Sequence, residues 1–172
     1  MEQSIISSDS HVIEVPDLWE KGLPSSLRER APKMFFDDKR DAWMFGSPEV
    51  QIQAVGGLFM AGQQPENLEK FRRAGFAVAR PGGWDPLERQ GDMVTDGVAA
   101  EVLYPSLGLG LFCVEDAGLQ EALFRAYNDW IIDYCQKVPD RLYGIALISM
   151  YNVDHAIAEM ERCNNAGLKG AL

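Results

Sequence analysis

Two side chains near the start of the chain have the types and spacing that grip a cation: Asp9 and His11, in the run IISSDSHVIEV. Residues two apart on an extended chain point to the same side, so one carboxylate oxygen and one imidazole nitrogen can approach a single ion together. The run Ser4 to Ser8 carries paired isoleucines and favours β structure, which puts Asp9, Ser10 and His11 at the end of a strand. By pattern alone, a turn and a helix cap account for this triplet more readily than a ligand pair, because short motifs recur by chance. The other histidine, His155, stands at the start of a helix, where a solvent-facing imidazole is expected, and it is not counted as a ligand. Cys113, Cys135 and Cys163 are odd in number and show no CxxC spacing. They argue against a cysteine zinc site and against a disulfide framework, and read as reduced, mostly buried thiols in a cytosolic protein.

The elements that must position Asp9 and His11 follow along the chain. VPDLWEKGLP and SSLRERAPK suit short helical turns wrapped by loops. In residues 33–54, the runs KMFF, DAWMF and VQIQAV are separated by DDKR and GSPE, which predicts a β-hairpin excursion. Pro65 opens a helix that stops at Gly75. ARPGGWDP is turn sequence, and Asp85-Pro86 starts a further helix with Leu87, Met93 and Val94 at helical spacing and Gly97 at its end. Val98 to Tyr104 reads as a strand that ends on Pro105. Leu119, Leu123, Ala126, Trp130 and Tyr134 make one face of a long amphipathic helix. Pro139-Asp140 breaks it, and LYGIALISM is the continuous apolar run of a strand buried on both faces. Residues 153–166 resume helical spacing with Ala156, Ile157, Met160 and Cys163 inward, and LKGAL begins a fourth strand.

This alternation predicts a parallel α/β architecture with right-handed crossovers. A (β/α)8 TIM barrel typically needs about 250 residues, and the chain has 172. The expected fold is therefore a partial barrel of three βα units plus a fourth strand, with an insertion at about 13–97 after the first strand. Residues 1–172 are read as one domain, since a chain near 150 residues buries roughly 70% of its unfolded surface. Barrel active sites lie at the C-terminal strand ends, which makes Tyr104, Ser106 and Met150 candidate pocket residues. Arg80 and Trp84 flank the Gly82-Gly83 turn and are candidates too. Packing explains Tyr104 and Met150 equally well, and a structural turn explains Arg80 and Trp84 somewhat better. Asn128 is read as a buried amide satisfying backbone groups, and Glu101 and Asp92 as solvated or paired.

Acidic residues outnumber basic ones 26 to 16, for a net charge of -10, and no stripe of Lys and Arg tracks a phosphate backbone. No nucleic-acid partner is expected. No window approaches the roughly 20 apolar residues of a membrane span, and the N-terminus lacks a basic and apolar leader, so a cytoplasmic chain without a membrane partner is the expectation.

Four blocks carry a resemblance: IISSDSHVIEVPDLW, ARPGGWDPLERQGDMVTDGVAAEVLYPSLGL, RAYNDWIIDYC, and PDRLYGIALI followed by GLKGAL. In this order they resemble the N-terminal half of the amidohydrolase-related (amidohydrolase 2) family of metal-dependent barrel hydrolases. That family includes the aminocarboxymuconate-semialdehyde decarboxylase type and aromatic acid decarboxylases. The resemblance implies a divalent cation, zinc first and manganese as the alternative, held by the first-strand pair, a histidine after a middle strand and an aspartate late in the barrel. The first pair is commonly His-x-His or Glu-x-His in the family. Here it reads Asp-x-His, and a carboxylate favours a harder cation. The implied activity is hydrolysis or decarboxylation of a small carboxylated substrate, with the first loop covering the pocket and the catalytic base downstream of Leu172. On this reading the chain is incomplete on its own. The alternative is a non-catalytic remnant or assembly module, whose open edge at Leu168 to Leu172 pairs with another chain or a second copy.

Overall fold

The computed structural model describes residues 4–172. The β-favouring run at the start is strand β1 (Ile5–His11), followed by the short helix α1 (Leu18–Gly22). Three strands then form an antiparallel sheet in the order β2 (Lys33–Asp37), β3 (Ala42–Gly46), β4 (Gln53–Ala54), one on each of the three β runs of the expected hairpin excursion. Asp37 shapes the first of these turns, its carboxylate accepting from the Lys39 and Arg40 amides at 2.9 and 3.2 Å. Helices α2 (Leu68–Ala74) and α3 (Pro86–Thr95) lead to β5 (Val98–Tyr104). The remainder alternates: α4 (Ala117–Gln136), β6 (Leu142–Ala146), α5 (Val153–Asn165), β7 (Gly170–Ala171).

Strands β1, β5, β6 and β7 lie side by side in that order and run parallel. This is the curled half-barrel of three βα units and a fourth strand that the alternation predicts. Helix α4 is its main buttress. Asp116 caps α4 by accepting from the Leu119 amide at 3.1 Å, and Leu119, Leu123, Tyr127 and Ile131 are buried against the sheet. Each of the leucine and isoleucine side chains contributes roughly 1.5–3 kcal/mol by leaving water. Trp19 of α1 binds the insertion to the same helix: its indole N–H donates to Leu123 O at 3.2 Å, and its ring packs 5.1 Å from Phe45 of β3. Gly22 permits this approach, since a Cβ there would meet the Ala126 Cβ at 2.7 Å. One apolar core therefore spans insertion and half-barrel.

Three expectations are corrected. Ile157 and Met160 do not point inward: they are 48% and 46% exposed, and α5 buries Ala156 and Cys163 instead. On α3, Leu87 and Val94 are exposed, whereas Arg89 and Met93 are buried. In both helices apolar spacing marks two stripes, and only the neighbouring elements select the one that is covered. The strand in LYGIALISM ends at Ala146, because Asn128 takes both backbone groups of Leu147, donating to its carbonyl at 2.9 Å and accepting from its amide at 2.8 Å. Of the cysteines, Cys135 and Cys163 are buried and Cys113 is exposed. No described helix is long and apolar enough to cross a membrane.

Candidate metal centre

The pairing of β1 with β5 sets the position of Asp9 and His11. Ser7 stands beside Glu101 and Ser10 beside Leu103, so β1 carries one extra residue between these points. Such a bulge re-aims side chains at a strand end. Past it, His11 lies level with Tyr104, the two rings 6.0 Å apart. Asp9 Oδ1 and His11 Nε2 face each other at 3.6 Å. His11 Nδ1 lies 2.8 Å from Pro105 O. A carbonyl only accepts, so Nδ1 carries a proton toward Pro105 O, and Nε2 is the ring nitrogen left on the side where Asp9 stands. Metal bonds to His and Asp of about 2.0–2.2 Å place neighbouring ligand atoms roughly 3.0–3.5 Å apart. The pair fits two positions of one divalent cation with little adjustment. Among the described residues no group of three or more His, Cys, Asp or Glu is arranged to hold a metal.

Two networks hold this strand end: the first gives Glu101 the paired role, one of the two expected for it, and the second, around Glu14, sequence reasoning missed. Beneath it, Ser7 donates to Ser10 at 2.8 Å, and Ser10 donates to Glu101 at 3.0 Å. Glu101 forms an ion pair with Arg89, both side chains nearly buried. Arg89 also donates to the carbonyls of His11 and Gly82 at 3.1 and 3.2 Å. Arg89 thus ties α3, β5 and the backbone of His11 together. Its sequence signal was a charged residue in each of two elements that must pack, Glu101 amid VAAEVLY and Arg89 on α3.

The second network centres on Glu14, which is 0% exposed. Its carboxylate accepts from the amides of Ser106 at 3.0 Å, Leu107 at 3.0 Å and Gly108 at 2.9 Å. Burial pushes this carboxyl above its ordinary value, and the backbone N–H bonds oppose that shift. The signal in the sequence was an acidic residue within the apolar run VIEV.

A cleft of about 670 Å³ is lined by His11, Arg80 and Ser106, together with Gly82, Arg89 and Asp92 among others. Arg80 donates to Asp92 at 2.5 Å. Ser106 donates its hydroxyl to Val12 O at 2.7 Å and so serves as a tie between loops. Tyr104 accompanies His11. Trp84 packs behind the turn, 5.7 Å from Phe76, and Met150 is exposed beyond β6; neither lines this cleft. His155 lies on the outer helical layer, its Nδ1 3.1 Å from Glu121.

No family model and no curated protein matches the chain. Solved structures do. An amidohydrolase from Mycobacterium avium subsp. paratuberculosis superposes with a TM-score of 0.72 at 16% identity, over 98% of this chain and 48% of its own. A 2,6-dihydroxybenzoate decarboxylase from Rhizobium gives 0.52 at 16% identity, over 98% and 38%. A 5-carboxyvanillate decarboxylase from Novosphingobium aromaticivorans, solved with bound manganese, gives 0.52 at 19% identity, over 99% and 41%. The chain spans less than half the length of these structures. It has the fold of a half-barrel from the amidohydrolase and decarboxylase structures.

Proposed function

We propose that this chain contributes the first-strand ligands of a divalent-cation site in a metal-dependent barrel enzyme that hydrolyses or decarboxylates a small carboxylated substrate. The observation that carries this reading is the convergence of Asp9 and His11 at 3.6 Å, with Nδ1 of His11 already occupied by Pro105 O. Zinc and manganese both suit the pair. The carboxylate ligand supports the harder ion, as does the manganese of the Novosphingobium decarboxylase. Bound there, the cation would supply Lewis acidity to a substrate oxygen or carboxylate, or to a water.

The chain's own residues do the positioning. His11 presents Nε2, and Asp9 adds a carboxylate on the same side. Arg80 lines the cleft shared with His11 and is half exposed, where its guanidinium can orient a substrate carboxylate in two-point fashion. The rest of the ligand set and the base have to come from outside the described residues, so turnover by this chain alone is not expected. Metal content after equilibration with manganese or zinc and desalting tests the reading. The Asp9→Ala/His11→Ala variant is expected to retain several-fold less metal than the parent chain, and equal content in both would overturn the ligand role.

A second reading, an assembly module, is favoured by one observation: among the described residues β1 and β7 are each paired on one side only.

A further inference from the structure

We propose that Glu14 is a positioning residue for His11: it determines which ring nitrogen faces Asp9, and it acts through the one peptide unit that joins Pro105 to Ser106. The consequence for a cation rests on the ligand reading of His11 given above.

A peptide unit is planar, so its C=O and its N–H turn as one body. At the N–H end of this unit, Glu14 Oε1 accepts from Ser106 N at 3.0 Å. At its C=O end, Pro105 O accepts from His11 Nδ1 at 2.8 Å. Holding the amide in one direction therefore holds the carbonyl in the opposite one, toward the imidazole. Glu14 itself has no freedom to turn away, because the same carboxylate accepts from Leu107 and Gly108 and is fully buried. Rotation would orphan three amides together. Ser106 is fixed a second time by its hydroxyl on Val12 O.

The two ends of the peptide also reinforce each other. A charged acceptor on the N–H polarises the unit and makes its carbonyl the stronger acceptor, which favours Nδ1–H over Nε2–H on His11. Nε2 then keeps its lone pair on the side of Asp9. A carboxylate behind a metal-binding histidine commonly does this by accepting directly from the ring's other N–H. Here a single peptide stands between carboxylate and ring. A mere cap of the short helical turn at Gly108–Cys113 would act on Leu107 and Gly108 and leave the His11 tautomer unchanged.

The chain holds two histidines, so the tautomers can be read by long-range 1H–15N correlation on the metal-free, histidine-labelled protein, at a pH well above the ordinary histidine pKa of about 6.5. His155, whose Nδ1 faces Glu121, is the internal reference for an intact fold. His11 is expected to be mainly Nδ1–H in the parent chain, to become mainly Nε2–H in Glu14→Ala, and to be intermediate in Glu14→Gln, which keeps one accepting oxygen. Should the alanine variant fail to fold, the glutamine variant decides. An unchanged His11 tautomer in a folded variant, or a parent chain without Nδ1–H, overturns the role of Glu14. Manganese titration of the parent chain separates the two readings: absence of binding removes the ligand role of His11 and leaves the tautomer result standing. Where manganese binds, Glu14→Gln is expected to weaken it about 10-fold or more.

Discussion

The Arg89–Glu101 pair shows what a single residue can decide at this site. Both side chains are nearly out of water, and Arg89 also supports the carbonyl of His11. A charge left alone in such a place is unfavourable by several kcal/mol, whereas removing both partners is much less harmful. Glu101→Leu is expected to lower the unfolding free energy by about 3–5 kcal/mol in urea titration, and Arg89→Met/Glu101→Leu to recover part of that loss. A double variant no more stable than the single one would mean that the pair does not act as a unit. Asn128 shows the opposite case. Its burial among apolar neighbours was readable from its place on the helix face, and the structure gives it the backbone partners that reading requires.

Among the elements, α4 is held to the insertion by charge as well as by packing. Arg30 bridges Glu49, after β3, to Asp116, the cap of α4, both contacts at 2.9 Å. The Leu119 amide and then Arg30 hold the Asp116 carboxyl below its ordinary value, and Arg30 does the same for Glu49. A carboxylate depressed in the folded state adds stability that is complete above its unfolded pKa and is lost as pH falls through the folded one. Glu14 has the opposite sign: its raised value means that protonation favours the fold. Because both carboxylates of the bridge lose their partner on acidification, melting temperature is expected to fall from about pH 5 downward. The fall should be shallower in Asp116→Asn/Glu49→Gln, as read by circular dichroism melts across that range. Identical slopes for parent and variant would remove the bridge from the account.

For the whole molecule, the open half-barrel is the dominant fact. Among the described residues β1 and β7 each leave one edge unpaired, and Ile5 and Ile6 on β1 are 57% and 63% exposed. The side of α5 marked by Val153, Ile157 and Met160 is also uncovered among the described residues. Unpaired apolar sheet edges recruit other chains. Light scattering on the purified chain is expected to give a mass above the 19.2 kDa of one copy. A single monodisperse species at the monomer mass would sink the idea that another chain covers these edges.

The order of elements, the parallel half-barrel and the location of Asp9 and His11 at a strand end were determined by sequence alone. Strand alternation, helical spacing and the punctuation by Gly and Pro are local properties, and each element declares itself within a dozen residues or so. What needed the tertiary structure is everything that depends on a distant partner. Glu14 meets amides 92 to 94 positions away, and Arg89 meets the carbonyl of His11 across 78. A charged residue in a strand or helix looks the same in sequence whether it is solvated or buried, since burial is set by what folds over it. The same holds for Ile157 and Met160, whose spacing announced a packed face before any neighbour was known. Spacing placed Asp9 and His11 side by side, and the fold added the reason that His11 turns its lone pair toward Asp9: a carbonyl on the next strand's loop, held in place from behind.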